Sequence, residues 1–127
     1  MANEQAKNEL EARREKMMKG EITLHKAMKS RDRDITTLHY DFSKLTGEDI
    51  LSCLDFDAAN RGNVTALSAK QSCYLYGLMH AKVEKPISGL DAQDLEEQAD
   101  MVDLLAMIAL ARGFFNTSFQ MAAMELF

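Results

Sequence analysis

Residues 100–113 read DMVDLLAMIALARG, and this stretch decides the fold. Between Asp103 and Arg112 it holds only apolar residues, so a helix formed here has no polar stripe over about two turns. A helix that is apolar on every side is central to a core or is covered by another chain. We expect Asp100 to cap this helix and Gly113 to end it. The stretch predicts a helical protein with more apolar helix surface than one small core needs.

Three further helices are predicted upstream of this stretch. Thr46 can cap a helix that runs to about Asp57, with acidic residues in its first turn. A longer helix over residues 66–83 stops before Pro86, and a short acidic helix follows over residues 91–98. The apolar stripe of the long helix consists of Leu67, Tyr74, Leu75, Leu78 and Ala81.

Two short runs near the N-terminus alternate in polarity, as β-strands do. Residues 21–25 (EITLH) and 35–42 (ITTLHYDF) flank a polar segment, 28–34, which indicates a hairpin with a polar loop. The second run places Leu38, Tyr40 and Phe42 on one face. A lone hairpin is marginally stable in water, so this face must pack on helices or pair with another chain. The predicted fold class is α+β, mainly α, with an N-terminal β-hairpin packed on a bundle of about four helices.

The sequence predicts one globular domain flanked by an N-terminal arm and a C-terminal tail. Residues 1–19 form a charged arm that is helical or disordered, residues 20–116 form a single globular domain, and residues 117–127 form an apolar C-terminal tail. The first residues show no apolar stretch typical of a signal peptide. The longest apolar run, residues 104–111, is too short to cross a bilayer, so no membrane association is expected.

Charge and cysteine content exclude several classes of function. The net charge is −5, and residues 34–127 carry six Lys/Arg against fourteen Asp/Glu. An acidic body argues against nucleic-acid binding, which needs a cationic face. The two cysteines, Cys53 and Cys73, lie in apolar helical stretches outside any CxxC motif. We expect them to be reduced thiols of a cytosolic protein.

No set of residues has the spacing of a catalytic or metal site. Residues 55–62 (DFDAANRG) resemble a calcium loop, but Ala59, Asn60 and Ala66 stand where an oxygen ligand, Gly and Glu are required. His25, His39 and His80 are not paired at zinc-ligand spacing, and no nucleophile or phosphate-binding motif is present. We therefore expect neither an enzyme nor a bound metal or cofactor.

Two stretches carry a resemblance to a known family. Residues 35–50 (ITTLHYDFSKLTGEDI) resemble the opening of tail assembly chaperones of tailed bacteriophages, in which a β-hairpin leads through DF-x-x-LTG-x-D into helices. Residues 87–90 (ISGL), Asp94-Leu95 and the final helix to Phe114-Phe115 are similar to their usual ending. The resemblance covers about residues 20–116.

The resemblance implies a function and a location. Chaperones of this family bind the aggregation-prone tape measure protein in the host cell cytoplasm, help to recruit the major tail protein, and are absent from the mature virion. The family has no catalytic residues or cofactors to transfer to this chain. Two alternatives stay open: a structural minor tail or connector protein of the virion, and a small helical regulator that binds a host protein.

A binding surface is expected on the last helix and the tail. The chain has nine Met, a residue common at adaptable binding surfaces. The Phe- and Met-rich residues after 113 either lie over the domain or form an exposed patch. The hypothesis is that client or self-association contacts come from Met101, Leu104, Ile108, Phe115, Phe119 and Met124. The all-apolar helix and an unpaired hairpin edge also invite homo-oligomerisation.

Overall fold

A β-hairpin lies between an N-terminal helix and five further helices in the computed structural model, which describes residues 2–126. The α+β, mainly α fold class is confirmed. The elements in chain order are α1 (Ala2–Met18), β1 (Lys19–Ser30), β2 (Arg33–Asp41), α2 (Gly47–Phe56), α3 (Ala69–Val83), α4 (Lys85–Ser88), α5 (Ala92–Gln98) and α6 (Met101–Leu126).

The hairpin is longer and its turn tighter than expected. β1 pairs antiparallel with β2, and their register is irregular between Thr23 and Met28. The prediction of a polar loop over residues 28–34 was wrong, because pairing continues to Ser30 and Arg33. Arg31 makes the tight reversal possible by adopting a φ of 60°, in the left-handed region. The predicted inward face is confirmed, since Leu38, Tyr40 and Phe42 are all buried.

Side chains from the helices occupy part of the outer edge of β1. The amide group of Gln98 pairs with Lys29 as a neighbouring strand would: Oε1 accepts from the Lys29 N–H at 2.7 Å, and Nε2 donates to the Lys29 carbonyl at 3.0 Å. On β2, the N–H of His39 donates to Glu84 Oε2 at 3.1 Å. Exposed strand edges are thus blunted at these positions.

Local hydrogen bonds set where α2 and α3 begin. Thr46 and Asp49 form a reciprocal capping box, as the sequence predicted for α2. α3 begins at Ala69, three residues later than expected, because Ser68 and Gln71 form a second capping box there. The predicted stripe of α3 is only partly correct, since Ala81 is exposed while Tyr76, Met79 and His80 are buried.

The last helix runs through the position where it was expected to stop. Gly113 lies in the interior of α6, so the prediction that it ends the helix was wrong, and residues 117–126 belong to the same helix. A Cβ at Gly113 would lie 2.9 Å from Met17 Sδ. The glycine therefore serves the close approach of α1, and α1 packs along the C-terminal half of α6.

The core lies between the hairpin, α3 and α6. Phe42, which follows β2, stacks on Phe114 of α6 at a centroid distance of 5.1 Å and meets Tyr76 of α3 edge-on. Met107, Ala111 and Phe115 add the rest of the inner face of α6. The inner face of the helix at residues 101–126 is therefore part of the core, which is one of the two alternatives that the sequence left open.

α6 is also long and apolar enough to cross a bilayer by length and composition alone. The apolar run at residues 104–111 is part of this longer helix, and the absence of membrane association stays a prediction. A third of the most apolar window of α6 is buried inside the fold (33%). That inner face packs on the hairpin and α3.

Candidate functional site

The first half of α6 carries apolar residues on its outward face as well as on its inward face. Met101, Val102 and Leu105 point outward and are 75%, 54% and 57% exposed, whereas Asp103 points inward with Met107 and is 1% exposed. A surface helix of a globular protein normally shows polar residues on its outward face. We call the outward-facing residues Met101, Val102, Leu105 and Ala109 the α6 outer face; Ala109 is also exposed.

The inward carboxylate of Asp103 holds the hairpin against α6. It accepts hydrogen bonds from the backbone N–H groups of His25, at 2.9 Å, and Lys26, at 3.3 Å, and it lies 2.8 Å from His25 Nδ1. Burial by itself raises the pKa of Asp103, but hydrogen bonds from His25 and from the two backbone groups outweigh it, so the net pKa lies below the usual value. The buried carboxylate of Asp103 thus stays ionised at neutral pH because these hydrogen bonds compensate for its burial.

An apolar groove of about 580 Å³ opens beside the α6 outer face. It lies between α3, α5 and α6, and we call it the α5 groove. Phe56 closes one part of it by stacking on Tyr74 at a centroid distance of 4.2 Å. Two charged residues, Lys70 and Glu96, border the groove. Its apolar lining includes Tyr74, Leu78, Ala81, Ala92, Leu95, Leu104 and Met107.

A second, smaller apolar groove of about 360 Å³ lies between α2 and the C-terminal half of α6. We call it the α2 groove. Val64, 43% exposed, stands at its border, and Ser118 supplies a hydroxyl to an otherwise apolar lining. The remaining lining residues are Ile50, Leu54, Phe114, Phe115 and Phe119. The described chain thus presents apolar grooves along both halves of α6.

The six residues predicted for protein binding differ in their exposure and in the groove that they line. Met101 lies on the exposed α6 outer face, and Leu104 lines the α5 groove. Ile108 and Met124 are half-buried. Phe115 is buried in the core, and both it and Phe119 line the α2 groove.

Helix geometry places five of the six residues on one side of α6. At 3.6 residues per turn, all except Met124 fall within about 60° of one another around the axis, whereas Met124 lies about 140° from Met101. Along the axis Met101 and Phe119 are about 27 Å apart at 1.5 Å per residue, so the residues do not form one site. Sequence reasoning missed Val102, Leu105 and the small residues of the α5 groove. Val102 and Leu105 face outward because Asp103, Met107 and Ala111 occupy the inner face, and a single sequence does not reveal which side of an all-apolar helix is the inner one.

The described residues hold little that points to catalysis. Cys53 is buried, its Sγ lies 3.3 Å from the Gln71 carbonyl, and burial raises its pKa to about 11. Burial and the charge of Glu96 raise the pKa of Cys73, which is half-buried in the α5 groove. A thiol with a raised pKa is a poor nucleophile. Across residues 2–126, His, Cys, Asp and Glu side chains form no group of three or more that could hold a metal ion.

Comparison with known proteins gives no match to a protein-family model, to a curated protein or to a solved structure.

Proposed function

We propose that this protein is a tail assembly chaperone of a tailed bacteriophage, which binds the tape measure protein, keeps it soluble, and helps to recruit the major tail protein. The observation that carries the proposal is the exposed apolar face of α6, to which Met101, Val102 and Leu105 contribute. An apolar surface with an adjoining groove suits transient binding of apolar client segments.

Two further properties support a holding function. Met side chains are flexible and adapt to varied partners, and Met101 is an exposed part of the α6 outer face. The net charge of −5 keeps a protein with exposed apolar residues soluble. The resemblance of residues 35–50 to tail assembly chaperones is the reason for proposing the tape measure protein as the client.

The experiment is co-expression of this chain with the tape measure protein encoded in the same genome. We expect the client to stay soluble and to co-purify with the chain. The double variant Met101→Lys/Leu105→Lys places two charges on the α6 outer face and should abolish the rescue. The control is Ile87→Lys, which changes an equally exposed apolar residue of α4 outside both grooves. An insoluble client with wild-type chain would refute the proposal.

A second measurement tests whether this protein is part of the finished virion. A chaperone acts in the host cytoplasm and leaves before the tail is complete, so mass spectrometry of purified virions should not detect this chain. Stoichiometric presence in the virion would favour a structural connector. Capture of a host factor without any tail protein from infected cells would favour a regulator.

A further inference from the structure

We infer that the α5 groove binds one amphipathic helix of a protein partner, with its apolar face in the groove and basic residues along its flank. This inference rests on the proposed function and refines it, because it names the chemistry of the client segment. It is carried by the shape of the groove, by the charge around it, and by the backbone that forms its walls.

The shape of the groove suits large apolar side chains. Small residues widen it, because Gly77, Ala81 and Ala92 all line it. A Cβ at Gly77 would lie 3.2 Å from the Ala92 Cβ, so α5 approaches α3 closely at this point. Larger side chains, including those of Tyr74 and Leu95, stand around these small ones. An occupant can therefore insert Leu, Met or Phe side chains into space that the protein itself leaves unfilled.

The charge on the α5 side of the groove favours a basic flank there. Between Lys85 and Arg112 the sequence has six Asp or Glu and no Lys or Arg. Glu96 borders the groove on α5, where Glu97 is also exposed, while Lys70 borders it on the α3 side. Asp103 is buried and paired, so it adds little to the surface potential. Complementary charge favours a partner with Lys or Arg on this side and disfavours a second copy of the acidic body.

The backbone of the walls favours a helical occupant. α3, α5 and α6 form the groove, and residues within helices already use their N–H and C=O groups in intrahelical hydrogen bonds. An extended segment in such a groove would bury backbone groups without partners, which costs free energy. A helix satisfies its own backbone groups and presents side chains at i, i+3, i+4 and i+7.

The test uses the full-length protein and synthetic peptides. The probe is an 18-residue helix-forming peptide (a length of ~27 Å at 1.5 Å per residue) with Leu at i, i+3, i+4 and i+7 spacing and Lys elsewhere. One control replaces Lys by Glu, and a second keeps the composition but shuffles the Leu positions. Fluorescence anisotropy should show affinity at least about tenfold higher for the probe than for either control. Equal affinity for the three peptides would overturn the inference.

Two variants test whether the probe peptide binds in the α5 groove. Ala81→Phe fills the groove from an exposed position on α3, and Glu96→Lys reverses the charge at its border. Each should weaken probe binding by about tenfold. The matched control is Glu48→Lys, which makes the same charge change at an exposed residue near the start of α2, away from the groove. Unchanged binding in Ala81→Phe, with native circular dichroism, would overturn the inference.

An independent readout comes from Cys73, which lines the groove. Saturating probe peptide should slow its alkylation, while the shuffled peptide should not. Light scattering tests whether a second copy of the chain occupies the groove. A wild-type dimer that Ala81→Phe converts to a monomer would assign the groove to a second copy and overturn the inference. Rescue of the tape measure protein without probe binding would refute this inference alone, whereas probe binding without rescue would refute the proposed client alone.

Discussion

The carboxylate of Asp103 accepts a hydrogen bond from the backbone N–H of His25 and is also hydrogen-bonded to the imidazole of the same residue, which lies 78 positions away in the sequence. A similar arrangement joins β2 to the helices. The backbone N–H of His39 donates to Glu84 Oε2, and His39 Nδ1 lies 2.9 Å from the same oxygen. Each strand of the hairpin therefore has one His whose backbone and ring are bonded to one buried carboxylate. These two pairs explain why an otherwise marginal hairpin is held in one position on the helices.

Replacing Asp103 should destabilise the protein strongly. Asp103→Ala removes the acceptor for two backbone N–H groups of β1 and leaves them without their partner. We expect the free energy of unfolding to fall by about 2–4 kcal/mol. Urea denaturation followed by circular dichroism measures it. Glu97→Ala, at an exposed acidic position on α5, is the control and should change stability by less than about 0.5 kcal/mol. A similar loss in both variants would contradict the argument.

Stability should also depend on pH through Asp103. Because the pKa of this group is lower in the folded state than its usual 3.8, ionised Asp103 contributes stability above that pH. The contribution is lost as the pH falls through the lowered folded-state pKa. The free energy of unfolding should decrease below about pH 4, and Asp103→Asn should flatten this part of the profile. An identical acid profile for the variant would show that other carboxylates dominate.

The two cysteines should differ in reactivity. Cys53 is 1% exposed with a pKa raised to about 11, whereas Cys73 is half-buried in the α5 groove. At pH 8 an alkylating reagent should modify Cys73 first and reach Cys53 only after unfolding. Mass spectrometry of single-cysteine variants resolves the order. Equal rates in the native protein would mean that the packing around Cys53 opens readily.

The contact between α1 and α6 depends on the absence of a side chain at Gly113. Gly113→Val should push Met17 away and loosen α1, whose other contacts with α6 include Arg14 Nε to Ser118 Oγ at 2.9 Å. Trypsin should then cleave α1 several-fold faster, with a loss of global stability of about 1 kcal/mol. Ala109→Val, at an exposed position of the same helix, should leave the cleavage rate unchanged.

Local patterns in the sequence predicted part of this structure. The Thr46 cap, the inward face of β2 and the all-apolar segment of α6 follow from side-chain chemistry within a few residues. The continuation of α6 past Gly113 could not be predicted in this way, because this helix packs on α1, an element far away in the sequence. The direction of Asp103 likewise depends on the hairpin it binds, and so the position of the exposed surface had to come from the structure.

The side-chain amide of Gln98 has a consequence for aggregation. An open strand edge can template the addition of a strand from another chain. At Lys29 both edge groups already bind the side-chain amide of Gln98, the last residue of α5, which brings no extended backbone of its own to this edge. A strand from another molecule would have to displace Gln98 before it could pair at Lys29, so strand addition is hindered at this point of the sheet.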